Sequence, residues 1–418
     1  MTMNDQNPSR QSTSSWLIAG IMMLSFGVIM VLTIMVMADG SLNALPKTIT
    51  TSAVLISGGF IAAVLAVAAF SRISIWNVSS QIFPVWFSLT LIVGVIIMAF
   101  RLDYSIVFLA VIWPMGLILL MVMGRVLSRQ PNLVIGILAG VDPAQVSGRE
   151  VITLDATSPT PDKLDLVIAT SNGMKDPVNA PMLSQLAGRN IPVLPEQTYL
   201  EQQTGRVDHH NVDAAELMQL RPYRRYMALK RISDIIMATL GLVLFAPVMI
   251  IVAVMIKVES SGPIVFVQRR VGEGGREFMM YKFRSMVQDA EKSGAKFATA
   301  TDARITRLGR VIRKLRIDEL PQLINVLTGS MSMIGPRPEQ KAFVEELEKE
   351  IPLYPIRHAV RPGITGWAQV MQGYADDVSS TDVKLSYDLF YIKNLSLMMD
   401  MVIFFKTIKT IITGFGAR

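Results

Sequence analysis

The sequence predicts a membrane α-helical bundle followed by two α/β units, the second entered through one further apolar helix. Three observations predict this. The 418 residues are 51% hydrophobic and only 17% charged, too apolar for a wholly soluble protein and too long for one ordinary domain. Four apolar runs of about 20 residues, the length that crosses a bilayer's hydrocarbon core, come first. After residue 132 the apolar stretches shorten to strand length and are broken by turn residues.

The polar start, 1–15, precedes a four-helix transmembrane domain over 16–128, with spans at about Trp16–Ala38, Ser52–Phe70, Phe83–Phe100 and Ser105–Met123. The first is too long for a cleavable signal peptide and is followed at once by other spans. Four crossings return the chain to its starting side. Arg10, Arg72, Arg125 and Arg129 then fall inside and Lys47 and Arg101 outside, so the positive-inside rule favours a cytoplasmic remainder. Over 132–220, Leu133–Leu138 and Leu164–Ala169 are strand-type runs and Met182–Arg189 is helix-permissive. Gly136 and Gly140 do not make a dinucleotide fingerprint, so this is expected to be a truncated Rossmann-like α/β domain without a cofactor.

The third region opens on the basic cluster Arg221, Arg224, Arg225, Lys230 and Arg231 and continues over 226–418. Its apolar segment 235–256 is long enough to span but carries Pro247, which removes a backbone hydrogen bond and bends a helix. It reads either as a kinked transmembrane helix or as a helix–break–helix that enters and leaves on one face. Parity favours the second, because a fifth crossing would carry the rest of the chain outside. Leu395–Phe415, with Asp400, Lys406 and Lys409 near one helical face, reads as an interfacial amphipathic helix, against a packed core helix.

Composition narrows the chemistry. The absence of Cys excludes disulfides, thiol catalysis and Cys-based metal sites, and three His leave little for a histidine metal cage. The net charge of +7 suits anionic headgroups or the cytoplasmic side of a bilayer before nucleic acid. Arg307, Arg310, Arg313 and Arg316, three apart, lay guanidinium groups along one side of a helix where their planar forks can gather phosphate oxygens. Asp318 and Glu319 follow, just before Pro321. Two neighbouring carboxylates beside several cations can hold a divalent ion, Mg²⁺ for oxygen ligands and phosphate substrates, and still present one oxygen as nucleophile. Residues 262–286 suggest two strands around Gly272–Gly275, placing Gln268, Arg269, Lys282 and Arg284 on nearby β surface. Gly335–Pro338 is a proline-fixed turn bearing Arg337. Trp367, in the turn Gly363–Trp367, can anchor at a membrane interface.

Lys230–Asp234, the block 262–286, Asp318–Asn325, Gly329–Pro338 and Arg361–Val370 resemble, in order, the bacterial sugar transferase family of monotopic phosphoglycosyl transferases. The likeness runs from about Tyr226 to the C-terminus, and the whole chain looks like the large subclass, with four membrane helices and a Rossmann-like domain before an α/β catalytic domain. The resemblance implies transfer of a hexose-1-phosphate from a UDP-sugar to undecaprenyl phosphate, with release of UMP, as an initiating step of exopolysaccharide or O-antigen assembly at the cytoplasmic face of the bacterial inner membrane. It makes Asp318 the nucleophile and Glu319 its partner at Mg²⁺, without settling which carboxylate ligates the ion. It maps the break of the re-entrant helix onto Ala246 and Pro247, assigns nucleotide binding to Arg337 and Pro338, and implies a homodimer. Gln268, Arg270, Lys282, Arg284, Arg313 and Arg316 are the remaining candidates for substrate phosphate. Ser330 stands where the family often has Asp, and Met371 and Gln372 replace a usual polar pair. A non-catalytic membrane scaffold or regulator of polysaccharide assembly is the alternative, which the intact acid pair disfavours. A transporter would need charged groups inside the four spans, which carry almost none.

Overall fold

The computed structural model describes residues 8–37, 46–70, 78–128, 134–146, 150–155, 160–161, 163–210, 224–287, 304–372 and 378–413. Arg221 of the basic cluster lies outside them. The chain divides into two units, Met1–Thr204 and Gly205–Arg418.

The first unit begins with α1 (Pro8–Met37), α2 (Lys47–Phe70), α3 (Val78–Ala99) and α4 (Ile106–Ser128). Leu17–Met37, Lys47–Ala68 and Ile106–Leu127 are long and apolar enough to cross a membrane, and α3 is apolar over Val85–Ala99. An aromatic seam holds the bundle. Phe26 stacks on Phe60 with centroids 3.9 Å apart, and Trp86 meets Phe60 edge-on at 5.9 Å. Both indole N–H groups find acceptors, Trp86 at the Trp113 carbonyl (3.1 Å) and Trp113 at Thr90 Oγ1 (2.7 Å), as burial in an apolar bundle requires. The outer faces keep Leu24, Val36, Met98 and Val107 exposed, the reverse of a water-soluble bundle. This is a membrane unit.

Next comes a four-stranded parallel sheet in the order β2-β1-β3-β4, from β1 (Val134–Leu138), β2 (Glu150–Leu154), β3 (Leu166–Ala169) and β4 (Val193–Pro195). The two central strands bury Ile135, Ile137, Val167 and Ile168, which is why they read as unbroken apolar runs. Helices α5 (Ser171–Lys175), α6 (Ala180–Gly188) and α7 (Glu196–Thr204) complete it, with Met182 and Leu186 in one core cluster and Tyr199 in another.

The second unit is built along one long helix, α8 (Arg224–Glu259), which runs unbroken through Ala246 and Pro247. Both ends are fastened to the same body. Near its start Arg231 donates to the carbonyls of Val326 and Leu327, and Asp234 accepts from the Met333 N–H (2.9 Å) and Ser332 Oγ (3.0 Å). At its finish Glu259 accepts the Leu308 N–H at 2.9 Å. Ala238 and Leu242 pack on Leu323 and Met331, while Met249, Val252 and Ile256 pack on Phe283 and Ile312. Between them Val243, Leu244, Phe245, Ile250 and Ile251 stay exposed.

An antiparallel ribbon follows, β5 (Val265–Val271) and β6 (Glu277–Phe283), closed through Gly274 and Gly275 at φ 65° and 74°. Then come α9 (Arg307–Lys314), α10 (Gln322–Thr328), β7 (Ser332–Ile334), α11 (Lys341–Glu350), β8 (Gly363–Thr365), α12 (Trp367–Met371), α13 (Val378–Lys393) and α14 (Leu397–Thr413). β7 and β8 pair in parallel. Here Gly335, Gly363 and Gly366 press backbone on backbone, and a Cβ on any of them would overlap a neighbouring main-chain atom.

Two expectations change. α14 is a packed helix, because Met399, Val402, Ile403 and Phe405 are buried and Asp400 points inward to Lys230 (2.8 Å), Tyr226 (2.7 Å) and Tyr391 (2.9 Å). Trp367 is buried at 1% exposure, donates to the Gly205 carbonyl at 2.8 Å and carries Lys406 over its ring, so it is no free interface anchor.

Candidate active site

The acid pair is delivered by a short, sharply turned path. Thr306 caps α9 by accepting the Gly309 N–H at 2.8 Å, and Gly309 sits so close to the Ser285 carbonyl that a methyl group there would overlap it. Ile312 anchors the helix against α8. The helix stops at Lys314, and Arg316 adopts the left-handed conformation at φ 56°. The expected row of four arginines on one helix therefore holds only for Arg307, Arg310 and Arg313. The reversal at Arg316 opens a 3₁₀ turn over Ile317–Glu319, and Pro321 leads into α10.

Glu319 is buried and wrapped by cations from three separate segments: Arg337 at 3.1 Å, Lys282 at 3.6 Å and Arg316 at 3.6 Å. Burial would push its carboxyl up, but Arg337, Lys282 and Arg316 outweigh that and hold it well below the usual carboxylate range. Asp318, one residue earlier, is partly exposed, and its carboxylate makes no hydrogen bond or ion pair among the described residues. Desolvation and the Glu319 charge raise it, partly offset by Lys282, Arg313 and Arg337. Neighbouring carboxylates are thus split into a fixed anion and one whose oxygens remain available. Burial lowers Lys282 to about 8 against the pull of Glu319. Lys282, Arg313, Arg316 and Arg337 together outnumber the two carboxylates, which leaves net positive charge for a phosphorylated ligand.

The ribbon register places Phe266 opposite Lys282, Gln268 opposite Met280 and Arg270 opposite Phe278, so Gln268, Arg270 and Lys282 share a face. Arg269 takes the other. Gln268 Oε1 accepts from Arg270 Nε (3.0 Å) and Nη2 (2.7 Å), and Arg270 also donates to the Pro338 carbonyl at 3.2 Å and pairs with Glu339 at 3.3 Å. These two residues and Pro338 brace the turn that carries Arg337. Arg284 does not join them. It is buried at the end of α8, donating to the Ser260 carbonyl (2.7 Å) and Oγ (2.8 Å), because β6 ends at Phe283 and the chain turns away.

A second layer was not anticipated. Arg357, 2% exposed, donates from Nη2 to the Arg337 carbonyl (2.9 Å) and Asp388 (2.8 Å), and from Nη1 to the Tyr354 hydroxyl (2.7 Å). Lys384 reaches Glu339 at 2.7 Å. Asn325 ties α10 to β6 by accepting the Tyr281 N–H and donating to the Met279 carbonyl. The only sequence signal for this layer is that Lys384 and Asp388 lie four apart, on one face of a helix.

Comparison with known proteins falls on the same unit of the chain. The family profile for bacterial sugar transferases matches residues 225–414. A UDP-N-acetylgalactosamine-undecaprenyl-phosphate N-acetylgalactosaminephosphotransferase of Aeromonas hydrophila is 53% identical over 236 residues, 56% of this chain and 56% of that protein. A UDP-glucose:undecaprenyl-phosphate glucose-1-phosphate transferase of Escherichia coli (strain K12) is 42% identical over 182 residues, 43% of this chain and 39% of that one. These matches span only part of each relative's length. The exopolysaccharide production protein PSS of Rhizobium leguminosarum bv. phaseoli is 40% identical over 193 residues, 45% of this chain and 96% of its own length. A profile lying on the unit that holds the acid pair, together with a relative matched along nearly its whole length, places the chain in the bacterial sugar transferase family.

Proposed function

We propose that the protein transfers a sugar-1-phosphate from a UDP-sugar to undecaprenyl phosphate and releases UMP. The observation that carries this is the split pair: Glu319 fixed as an anion by three cations beside an Asp318 whose carboxylate forms no hydrogen bond or ion pair among the described residues. An Asp318 oxygen attacks the β-phosphorus of the donor. A bond forms between that oxygen and phosphorus while the bond from phosphorus to the bridging oxygen breaks, and UMP departs with the bridging oxygen. The undecaprenyl phosphate oxygen then attacks the same phosphorus, and Asp318 is released. Arg316 and Arg337 are placed to neutralise donor oxygens, and Lys282 sits at the same carboxylate.

A hard divalent ion fits this donor set. Mg²⁺ is commonly held by one or two carboxylates together with substrate phosphates, and Asp318 retains carboxylate oxygens that no described side chain engages. Asp318, with Glu319, would hold it, and when bound it would withdraw charge from the diphosphate. The relative named for N-acetylgalactosamine is more alike than the one named for glucose, so UDP-N-acetylgalactosamine is the first donor to try and UDP-glucose the second.

Two architectural readings accompany the chemistry. The parallel order β2-β1-β3-β4 supports a truncated Rossmann-like domain that ends by Thr204 rather than at the expected 220. α8 is continuous through Ala246 and Pro247, where the break was expected, but both its ends bond to one body and apolar residues stay exposed along its length, which supports a helix that enters and leaves the membrane on one face, with the catalytic unit on the cytoplasmic face of the inner membrane.

The test incubates membranes holding the protein with labelled UDP-sugar, Mg²⁺ and undecaprenyl phosphate. UMP and labelled lipid should appear, and a donor-treated sample should carry a phosphosugar adduct on Asp318. Asp318→Asn should express normally and be inert. Wild-type turnover in that variant, or product without an adduct, would overturn the assignment. Reporter tags after residue 256 and at the C-terminus should both read as cytoplasmic, and a periplasmic signal from either would reject the re-entrant helix.

A further inference from the structure

Histidine is scarce in this chain, with three residues in 418, and that scarcity argued against a histidine metal site. Two of the three are nevertheless adjacent, and both imidazoles converge on one carboxylate far away in sequence. His209 Nε2 lies 2.8 Å from Asp382 Oδ1, and His210 Nε2 lies 3.0 Å from Asp382 Oδ2. We propose that His209, His210 and Asp382 form a binding site for a first-row transition ion of the zinc class, sharing no residue with the Asp318–Glu319 pair.

The local fold assembles the three groups. Residues 205–210 run along α13, with the Val207 N–H bonded to the Ser386 carbonyl at 3.0 Å and Arg206 over the Tyr387 ring at 5.7 Å. This docking brings the two imidazoles together against Asp382, centroids 4.3 Å apart and planes tilted by 33°. One ligand atom from each residue lies within 4.8 Å of the others. A tetrahedral ion about 2.0–2.2 Å from each donor sets neighbouring donors roughly 3.3–3.6 Å apart, so the 2.8 and 3.0 Å nitrogen–oxygen contacts need open by only about half an ångström to admit one.

The surroundings suit an ion as well. The His209 side chain is 3% exposed, so its ring direction is fixed by packing. Its other nitrogen, Nδ1, faces Ser386 Oγ at 3.4 Å, and that hydroxyl also donates to the Asp382 carbonyl. When an ion takes the Nε2 lone pair, the ring keeps its one proton on Nδ1, any second proton passes to solvent, and Ser386 Oγ can accept from Nδ1–H, the usual orienting contact behind a ligating imidazole. The His210 side chain is 68% exposed, which leaves a path for the ion and room for water in the remaining positions. Two nitrogens and one carboxylate favour Zn²⁺, Co²⁺ or Ni²⁺ over Mg²⁺, whereas the acid pair offers oxygen alone. Bound there, an ion would pin residues 205–210 to the helix that also carries Lys384 and Asp388.

The experiment uses full-length protein in detergent, purified on a tag without histidine, stripped with a chelator and titrated with Co²⁺ at neutral pH. Visible d–d absorption reads the site independently of turnover, so the outcome does not depend on the transferase reading. One Co²⁺ per chain should produce a band that Zn²⁺ displaces and that persists in Asp318→Asn/Glu319→Gln. His210→Gln, at an exposed position, and Asp382→Asn should each weaken binding by at least about tenfold, with the wild-type circular dichroism spectrum as the check on folding. No band in the wild type means a hydrogen-bonded clamp only, and a band unchanged in both site variants places the ion elsewhere. Either result overturns the proposal.

Discussion

Replacing Arg357 with methionine separates what this residue does for the fold from what it does for the site. The guanidinium is 2% exposed and paired with an Asp388 that is equally buried, so removing it strands a carboxylate without a partner. Breaking one half of a buried pair costs about 3–5 kcal/mol, whereas replacing both halves with apolar groups is often near neutral. Arg357→Met should therefore unfold at markedly lower denaturant, and Arg357→Met/Asp388→Leu should recover most of the loss. Activity should not recover with it. Nη2 also holds the Arg337 carbonyl at 2.9 Å, a bond neither variant can make. A hydrogen bond from a charged donor is worth about 1.5–3 kcal/mol, which corresponds to roughly a ten- to hundredfold fall in kcat/KM for a turn that must present Arg337 to the donor. The assay pairs chemical unfolding in detergent with UMP release. A double variant with wild-type kcat/KM would show that Arg357 acts on stability alone. One no more stable than the single variant would refute the stranded-charge argument.

Other expectations follow from the same geometry. Glu319→Gln removes the anion that gathers Lys282, Arg316 and Arg337, and kcat should fall by about 10²–10³-fold, the size of losing one preorganised electrostatic group; an unchanged kcat would reject that role. At Glu339 burial alone would raise the carboxyl, but Lys384, Arg357 and Arg270 hold it at about 2, below its ordinary 4.5. Its folded-state value is depressed, so its contribution, at most about 3 kcal/mol, is complete above pH 4.5 and drains away as pH falls toward 2. The stability gap between wild type and Glu339→Gln should close over that window, and a gap independent of pH would contradict the assignment. Gly309→Ala forces a methyl group onto the Ser285 carbonyl and should destabilise by about 1–3 kcal/mol, read as a lower unfolding midpoint. Chelation with EDTA should stop UMP release and excess Mg²⁺ restore it, and full activity in EDTA would remove the ion from the scheme.

The parts of the fold legible in the sequence are those in which one physical signal acts alone. Apolar runs announced α1, α2, α3, α4 and α8, and the doubly buried β1 and β3 stood out as unbroken apolar stretches. The edge strands did not. β2 begins at a charged, exposed Glu150, and β4 is three residues long and ends in Pro195, so neither carries a period to detect. At the site, Asp318, Glu319, Lys282, Arg316 and Arg337 came together as their motifs suggested. Arg284 went elsewhere because period-two reasoning assumes that a strand continues, and this one ends a residue too soon. Arg357 and Asp388, and Glu339 and Lys384, are joined only by tertiary folding. Asp400 misled for a related reason: a charge on an apolar helix usually marks its wet side, but here Lys230 and two tyrosines receive it inside.

The strained backbone at Arg316 sets two demands on that position against each other. Glycine would adopt φ 56° without cost, and relieving a non-glycine residue in this region is worth about 1 kcal/mol. The more durable protein would then lack one of the three positive charges facing Glu319. A screen for thermal hardiness alone would therefore tend to select a better folder at this position and a poorer catalyst.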